Sequence, residues 1–303
     1  MSSDIADRTL VEEKDIRVPD YSGTGNESIS IILLADKPSQ LKTSFKSVVK
    51  LLLDGVNKNY GVKLDIMIAV REEDPDLEEY FLKWTNGFDK DKMAWKVSMI
   101  VDEGKMGKLL ASAIGKATGE ALVFLTPGFI LDREALASEL INQFHVPMEF
   151  GVSFVKGHYG VSNVPGTVSD GRTSSPAPYV LPPRDFTSFG GIREYLYYFP
   201  FRHLSTIRVK KSLVSKHLDF LSNFDQGLDI AMGAIAVHEG TGIKTSPVPF
   251  VNMLSTPPSP DLDVLKSEIY FMKSYFPDMN EYTGRAYFDY LEGAYRDVKK
   301  NRY

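Results

Sequence analysis

The sequence predicts an α/β protein whose central sheet is mostly parallel and is flanked by helices. Short apolar runs rich in β-branched residues alternate four times with helical patterns in the first half of the chain. This alternation is typical of proteins in which each strand is followed by a crossover helix. The runs are apolar at nearly every position, as in strands that are buried on both faces of a sheet. Together, the two features predict helices on either side of the sheet.

The first elements can be assigned in order, after a polar and turn-rich N-terminal extension over residues 1–28. Apolar runs predict the strands, and apolar residues three or four positions apart predict the helices. The predicted strands are 28–34, 64–70, 95–101 and 121–125, and the predicted helices are 39–57, 76–85 and 105–118, with Gly119 as the last C-cap. Ligands of parallel sheets bind at the carboxyl ends of the strands. We therefore expect the site to be in the loops 35–38, 71–75, 102–107 and 126–129.

The second half of the chain is less regular. It predicts a strand over 204–209 and helices over 211–221 and 226–237. The segment 156–193 is rich in Gly, Pro, Ser and Thr, so it is either a lid over an acceptor site or a disordered or partner-bound insertion. The C-terminal helical tail carries an aromatic stripe, which either packs against the body or forms a dimer face of a homo-oligomer. The predicted divisions are the extension (1–28), a main domain (29–255) and the tail (256–303).

Composition narrows the class of protein. The 303 residues are 43% hydrophobic and 25% charged, which predicts a folded chain with a sizeable core. The net charge of −5 disfavours a general affinity for nucleic acid, which needs a basic face. The absence of cysteine excludes disulfides, thiolate metal sites and cysteine nucleophiles. No apolar run is long enough to span a membrane, and residues 1–21 lack the apolar region of a secretory signal. We therefore expect a soluble, cytoplasmic protein.

Sequence motifs for several other chemistries are absent. The chain has no P-loop and no Gly-x-Ser-x-Gly nucleophile turn. The first predicted strand ends in Ala35-Asp36-Lys37-Pro38 instead of Gly-x-Gly, which disfavours a dinucleotide site. Five scattered histidines give no zinc pattern.

One long stretch carries a resemblance to a known family. From Gly104 to Leu131, a Gly-rich turn is followed by a helix, by the step Ala117-Thr118-Gly119-Glu120 and by a strand. This order resembles the central segment of the large inverting glycosyltransferase family (family 2) that includes cellulose-synthase-like and bacterial polysaccharide enzymes. Further similarities to the family's first strand and turn, its acidic block and the strand after that block lie in Ile31–Pro38, Phe224–Ala231 and Gly240–Pro247.

The resemblance covers roughly residues 29–250, and its implications concern both fold and activity. It implies a GT-A fold, the fold of nucleotide-diphospho-sugar transferases. It also implies a hexosyltransferase-type enzyme that transfers a sugar from a nucleotide-sugar donor, such as a UDP-sugar, to an acceptor that the sequence does not identify.

The resemblance places the donor's base and ribose against the first two strand ends. The corresponding residues in this chain are Ala35, Asp36, Arg71, Glu72 and Glu73. Carboxylates at these positions can accept hydrogen bonds from ribose hydroxyls or from a base N–H. A solvated charged turn would have the same composition, so both interpretations stay open.

The family holds a divalent metal with an Asp-x-Asp motif after the fourth strand, because hard cations take oxygen ligands. Thr126-Pro127-Gly128 stands at that position here, so the usual acidic ligands of Mn²⁺ or Mg²⁺ are missing. Thr126 and Gly128 would then face the donor diphosphate without a metal of the usual kind. Cationic side chains could take over the metal's role, although each could equally be an ordinary surface cation. The candidates are Lys105, Lys108, Arg184, Arg193 and Arg202.

The general base of the inverting reaction would come from the acidic block. The family's Glu-Asp pair falls near Gln226-Gly227 when Asp229 is aligned with the family's final Asp. Asp225 substitutes if the register shifts by one residue, and Asp229 is the second candidate. Two departures from the acidic motifs fit either an active enzyme with an altered donor site or an inactive binding or scaffolding subunit. A third interpretation, in which the acceptor is a base in nucleic acid, is disfavoured by the net charge.

Overall fold

The structure is a computed structural model. It describes residues 28–53, 63–86, 95–131, 150–152, 155–157, 204–241, 243–245, 251–254 and 261–278, together with 289, 291–293 and 296. The predicted extension up to residue 27, most of the segment 156–193, and the candidate cations Arg184, Arg193 and Arg202 lie outside the described residues.

The described strands form one large and one small sheet. They are β1 (Ser28–Ala35), β2 (Lys63–Val70), β3 (Trp95–Val101), β4 (Ala121–Leu125), β5 (Phe129–Leu131), β6 (Phe150–Val152), β7 (Val155–Gly157), β8 (Ile207–Lys210), β9 (Ile243–Thr245) and β10 (Val251–Met253). The large sheet has the order β3-β2-β1-β4-β8-β6-β9, and β5-β10-β7 form the small one. In the large sheet only β8 is antiparallel to its neighbours. The predicted mostly parallel sheet is confirmed.

The described helices alternate with the strands as the sequence predicts. They are α1 (Lys42–Leu53), α2 (Pro75–Asn86), α3 (Met106–Lys116), α4 (Lys211–Val214), α5 (Leu218–Leu221), α6 (Leu228–His238) and α7 (Leu262–Tyr275). Short 3₁₀ turns at Pro38–Leu41, Leu204–Thr206 and Ser215–His217 precede or join them. Across these ranges, no helix has the length and apolar character needed to cross a membrane.

Helices cover both faces of the sheet, and each face has its own apolar cluster. Leu33 and Leu34 are consecutive in β1 and belong to opposite clusters, because successive strand residues point to opposite faces. Leu33 packs in the cluster that contains Phe45 of α1 and Phe81 of α2. Leu34 packs in the cluster built with α3, α5, α6 and α7. The carboxyl ends of β1, β2 and β3 therefore meet at one edge, with α3 and α6 beside it.

The predicted C-cap at Gly119 is wrong. α3 ends at Lys116, and its C-cap is Ala117, whose N–H donates to the Ala113 carbonyl while its backbone turns out of the helix. Gly119 instead permits a close approach to β1. A Cβ there would lie 2.3 Å from the Ser30 backbone nitrogen, and the Gly119 amide donates to Ser30 Oγ at 2.9 Å. In the segment Ala117-Thr118-Gly119-Glu120, the backbone therefore passes close to β1.

Two other predicted elements are divided in the structure. The predicted strand 204–209 begins as a 3₁₀ turn and becomes β8 only at Ile207. The predicted helix 211–221 is interrupted between α4 and α5, where His217 departs from helical geometry with φ −120°. Val214 and Phe220, on either side of the interruption, are both fully buried in the same cluster. In addition, Lys156 and Gly157, the first residues of the long segment 156–193, belong to β7.

The C-terminal tail packs against the body through α7. Ile269, Met272 and Phe276 are buried in the cluster that contains α3 and α6. Tyr270 and Tyr275 remain 54% and 40% exposed. The part of the aromatic stripe in α7 therefore packs against the body. The other aromatic residues of the stripe lie outside the described residues; they are Tyr287, Phe288, Tyr290 and Tyr295. A homo-oligomer through this tail stays a prediction.

Candidate functional site

The turns after β1 and β2 are joined by backbone hydrogen bonds at the carboxyl edge of the sheet. The Asp36 carbonyl accepts from the amides of both Arg71 and Glu72 at 3.0 Å. On the next strand, the Asp102 amide donates to the Val70 carbonyl at 3.1 Å. These bonds continue the parallel ladder one step beyond the strands, so the side chains of the three turns are held at one place.

Arg71 is the central side chain of this edge. Its Nη1 lies 3.2 Å from Asp36 Oδ1, and its Nη2 donates to Asp225 Oδ1. The Arg71 side chain is only 25% exposed, and its buried Nε has no acceptor among the described residues. One guanidinium therefore links the end of β1, the end of β2 and the loop 222–227 before α6.

Asp225 also caps a helix that is distant in sequence. Its Oδ1 accepts from the Met106 amide at 3.0 Å, the first N–H of α3. Lys105, the N-cap residue of that helix, makes no side-chain capping hydrogen bond. A helix leaves its first amides without intrahelical partners, and its N-terminus favours negative charge. The Asp225 carboxylate supplies both the acceptor and the charge.

The loop 222–227 closes tightly over the first turn of α3. The Gly107 amide donates to the Phe224 carbonyl at 2.8 Å, and Lys105 Nζ donates to the Asn223 carbonyl at 3.0 Å. A Cβ at Gly107 would lie 2.0 Å from the Leu221 carbonyl oxygen. Only glycine at position 107 permits this approach, because the obstructing atoms belong to the backbone.

Glu268 of α7 binds the backbone of the same loop. Its carboxylate accepts from three successive amides, those of Asp225 at 2.5 Å, Gln226 at 3.2 Å and Gly227 at 2.8 Å. Glu268 is 6% exposed, and burial raises the pKa of its carboxyl although the amides and the charge of Lys105 act in the opposite direction. Sequence reasoning missed this residue. The available signal was a carboxylate on the apolar face of a helix, next to Ile269 and one turn before Met272.

Two ion pairs lie at the rim of the edge. Lys108 Nζ is 2.9 Å from Asp102 Oδ2, and Lys37 Nζ is 3.0 Å from Glu72 Oε2. The hydrogen bond from Lys108, followed by that from the Gly104 amide, lowers the pKa of Asp102. The Lys108 and Lys37 side chains are more than half exposed, so these pairs exchange with solvent at little cost in free energy.

The turn after β4 differs from the acidic motif in its contacts as well as in its sequence. The Thr126 amide donates to Ser205 Oγ at 2.9 Å, and the two hydroxyls are also 2.9 Å apart. Gly128 has φ +85°, and its carbonyl accepts from the Leu254 amide at 2.7 Å. These groups do not fit a divalent cation. Over the described ranges, no cluster of three or more histidine or acidic side chains could hold a metal ion.

The structure thus brings some of the predicted site residues together. Asp36, Arg71 and Asp225 share one network of contacts, and Lys105 bonds to Asn223 in the same loop as Asp225. Ala35 is the buried last residue of β1, and Glu72 and Glu73 are exposed in the following turn. Asp229 lies in the first turn of α6 and is partly buried. The described contacts of Thr126 and Gly128 run to Ser205 and to the small sheet, not to the Arg71 network.

Comparison with known proteins identifies the fold but not a family. No protein-family model and no curated protein sequence matches the chain. The crystal structure of S. aureus TarS superposes with a TM-score of 0.53 at 11% identity, covering 86% of this chain and 41% of that one. TarS 1–349 in complex with UDP gives 0.51 at 12% identity, over 86% and 68% of the two chains. This chain therefore spans less than half of the longer TarS structure.

These similarities define the class of fold. TarS is a GT-A-type glycosyltransferase, and the mixed sheet with flanking helices described above matches it. The chain has a GT-A-like glycosyltransferase fold. At such low identity the comparison concerns the fold alone, because one fold hosts many activities.

Proposed function

We propose that this protein binds a nucleotide-sugar, of which a UDP-sugar is the first choice, and transfers its sugar to an acceptor hydroxyl. The observation that carries the proposal is the Arg71 guanidinium, which joins the ends of β1 and β2 to Asp225 at the carboxyl edge of the sheet. Open parallel sheets bind their ligands at that edge. The UDP complex of TarS, which has the same class of fold, supports the choice of nucleotide.

In this proposal the base and ribose lie against Asp36, Arg71 and Glu72. The exposed carboxylates can accept hydrogen bonds from ribose hydroxyls or from the base N–H. Glu73 and the end of β1 at Ala35 would border the same pocket. Arg71 would hold this surface in place, because its guanidinium is fixed by two carboxylates instead of moving freely in solvent.

We infer that the donor diphosphate is neutralised without an Asp-x-Asp metal. Thr126 and Gly128 offer no carboxylate, and the Thr126 hydroxyl already bonds to Ser205. Two exposed cationic groups near the edge are Lys105 and Lys108, whose contacts among the described residues are with the Asn223 carbonyl and with Asp102. Either ammonium can turn to a phosphate at little cost in free energy, and the N-terminus of α3 adds its positive end.

Asp225 is the general base of this proposal. Among the described residues, Arg71 and Met106 donate to the Asp225 side chain, and both bonds end on Oδ1, so the carboxylate is oriented and Oδ2 would be the oxygen for an incoming hydroxyl. The acceptor hydroxyl would give its proton to Oδ2 as its oxygen bonds to the anomeric carbon. The bond from that carbon to the diphosphate would break, and the nucleoside diphosphate would leave with the electron pair. Asp229 is the alternative base, in the first turn of α6.

A second candidate function is a binding or scaffolding subunit that does not catalyse transfer. It is favoured by the same contacts, because a carboxylate that is bonded to a guanidinium and to a helix N-terminus can stabilise the fold without taking part in a reaction. The turn at Thr126-Pro127-Gly128 also fits this alternative, since it lacks the acidic ligands of the family's metal.

The test is nucleotide binding by the full chain, followed by transfer. Calorimetry with UDP, UDP-sugars and other nucleoside diphosphates is expected to give a measurable Kd for at least UDP. Arg71→Gln should weaken UDP binding by about tenfold or more, since a hydrogen bond to a charged group contributes about 1.5–3 kcal/mol. Lys83→Gln, on the exposed face of α2, is the matched control and should bind as the unaltered chain does.

Three outcomes separate the candidates. No binding of any nucleotide contradicts both the transferase and the nucleotide-binding subunit. Binding with release of the sugar to an acceptor or to water supports the transferase. Binding of an intact donor that is never consumed with any acceptor in a glycan, peptide and protein panel supports the subunit.

A further inference from the structure

The buried carboxylate of Glu268 is surrounded by three amides from outside its own helix. It belongs to α7, in the tail that follows the main domain, yet it accepts from the successive backbone N–H groups of residues 225–227. Successive amides that converge in this way form a concave site for an anion. In this chain the anion is a side chain, and at 6% exposure it is held away from solvent.

The loop and the helix hold each other in both directions. Gln226 Oε1 accepts from the Asp261 amide at 2.6 Å, and Asp261 in turn caps α7 through the Asp263 amide at 2.9 Å. A Cβ at Gly227 would lie 3.0 Å from Glu268 Oε2, so this position has little room for a larger side chain. The loop therefore cannot move from α7 without losing hydrogen bonds on both sides.

These contacts connect α7 to the edge of the sheet in two steps. Glu268 fixes the backbone of Asp225, and the Asp225 side chain bonds to Met106 and Arg71. We propose that Glu268 is a positioning residue that sets the place of the Asp225 carboxylate, which makes α7 a part of the donor site. The inference rests on the proposed function, in which Asp225 and Arg71 belong to the site.

If Glu268 only stabilised the fold, its loss would lower stability without a specific effect at the site. The experiment must therefore detect the Glu268 carboxylate directly. The titration of Glu268 allows this, because burial raises the pKa of Glu268 above its ordinary value of 4.5. Among the described residues, the charge that acts on it is that of Lys105, whose ammonium lowers that pKa, while Asp225 meets it through its backbone amide. Protonation of Glu268 removes the charge that holds the three amides.

The experiment is amide NMR of the full chain across pH, with Glu268→Gln, Glu268→Asp and the exposed-helix control Glu79→Gln. In the unaltered chain, the amides of 225–227 and of Met106 are expected to shift together, with one midpoint above 4.5. This transition should be absent in Glu268→Gln and unchanged in Glu79→Gln. Glu268→Asp keeps the charge and should restore a common transition. UDP affinity should fall about tenfold in Glu268→Gln, by the loss of a charge-assisted contact.

Gly227→Ala tests the same link from the loop and serves if Glu268→Gln does not fold. It should displace the carboxylate and shift the Met106 amide in the same direction as Glu268→Gln does. The inference is overturned if Met106 keeps its signal and its pH response in Glu268→Gln or, where that variant is unfolded, in Gly227→Ala. It is also overturned if UDP binds to folded Glu268→Gln with unaltered affinity. Should UDP not bind to the unaltered chain at all, the proposed function fails, while the NMR transition still decides whether Glu268 positions Asp225.

Discussion

Arg71 and Asp225 lie 154 positions apart in the sequence and form an ion pair at the carboxyl edge of the sheet. The pair joins the end of β2 to the loop before α6, and the same Asp225 oxygen accepts from the first amide of α3. Three elements therefore meet at one carboxylate. The predictions below concern this meeting point and the parts that support it.

Asp225→Asn should separate chemistry from binding. Asparagine keeps an oxygen that can accept from the Met106 amide, but it removes the negative charge and the capacity to take a proton. If Asp225 is the general base, the rate of sugar transfer should fall by about 10²- to 10⁴-fold. The measurement is the initial rate of transfer together with the Kd of UDP.

Asp229→Asn is the control, because this residue is the alternative base in the first turn of α6. The UDP affinity of Asp225→Asn should fall by about tenfold, as in Glu268→Gln, because both changes weaken a charge-assisted contact, and this loss is far smaller than the loss of transfer rate. A larger loss of transfer in Asp229→Asn than in Asp225→Asn would assign the base to Asp229 instead.

Gly107→Ala should destabilise the protein and loosen the site. The new Cβ would lie 2.0 Å from the Leu221 carbonyl oxygen and 2.7 Å from that of Phe224, and neither backbone atom can turn aside as a side chain does. We expect a loss of about 1–3 kcal/mol in the free energy of unfolding, or more. Urea denaturation measures it.

Gly115→Ala, in the same helix, is the matched comparison. Its Cβ would approach nothing closer than Leu218 Cδ1 at 3.9 Å, so the change should stabilise the protein by about 0.5–1 kcal/mol through helix propensity. Equal effects of the two substitutions would contradict the close packing of the loop on α3.

The buried Glu268 should give stability an unusual dependence on pH. Its folded pKa is raised, so the folded state holds the proton more tightly than the unfolded state does. The contribution of Glu268 is therefore least favourable above the folded pKa and becomes more favourable as the pH falls towards 4.5. Urea denaturation of the unaltered chain and of Glu268→Gln, from pH 7.5 downwards, should give a difference that moves in favour of the unaltered chain on acidification. A difference that is constant with pH, or that moves the other way, would contradict the raised pKa.

Donor binding should not depend on a divalent metal. The turn at Thr126-Pro127-Gly128 has no acidic ligand, and its described contacts run to Ser205 and the small sheet. The Kd of UDP measured with excess chelator and with Mn²⁺ or Mg²⁺ should therefore agree within about threefold, a difference in binding free energy below about 1 kcal/mol. Lys105→Gln and Lys108→Gln should each weaken binding in both conditions. A tenfold or greater gain with metal would show that residues other than this turn supply its ligands.

The sequence predicted the first four strands of the large sheet well because strand signals are local. The strands at 28–34, 64–70, 95–101 and 121–125 are each confirmed to within one residue, since apolar runs that are short and rich in β-branched residues favour a strand over a helix. The same reasoning located the loops that carry Asp36 and Arg71. It misplaced the role of Gly119, because a glycine after a helical pattern predicts a C-cap, while its close approach to Ser30 depends on a strand far away in sequence.

By itself, the sequence determined the fold class and the absence of acidic residues at positions 126–128, and it predicted the edge at which ligands would bind. Each of these depends on residues that are neighbours along the chain. Only the tertiary structure decided that Asp225 pairs with Arg71 and caps α3, and that Glu268 holds the loop in place. Such contacts leave no periodic pattern in the sequence, because they join side chains and backbone amides from elements that meet only after the sheet and its helices have packed.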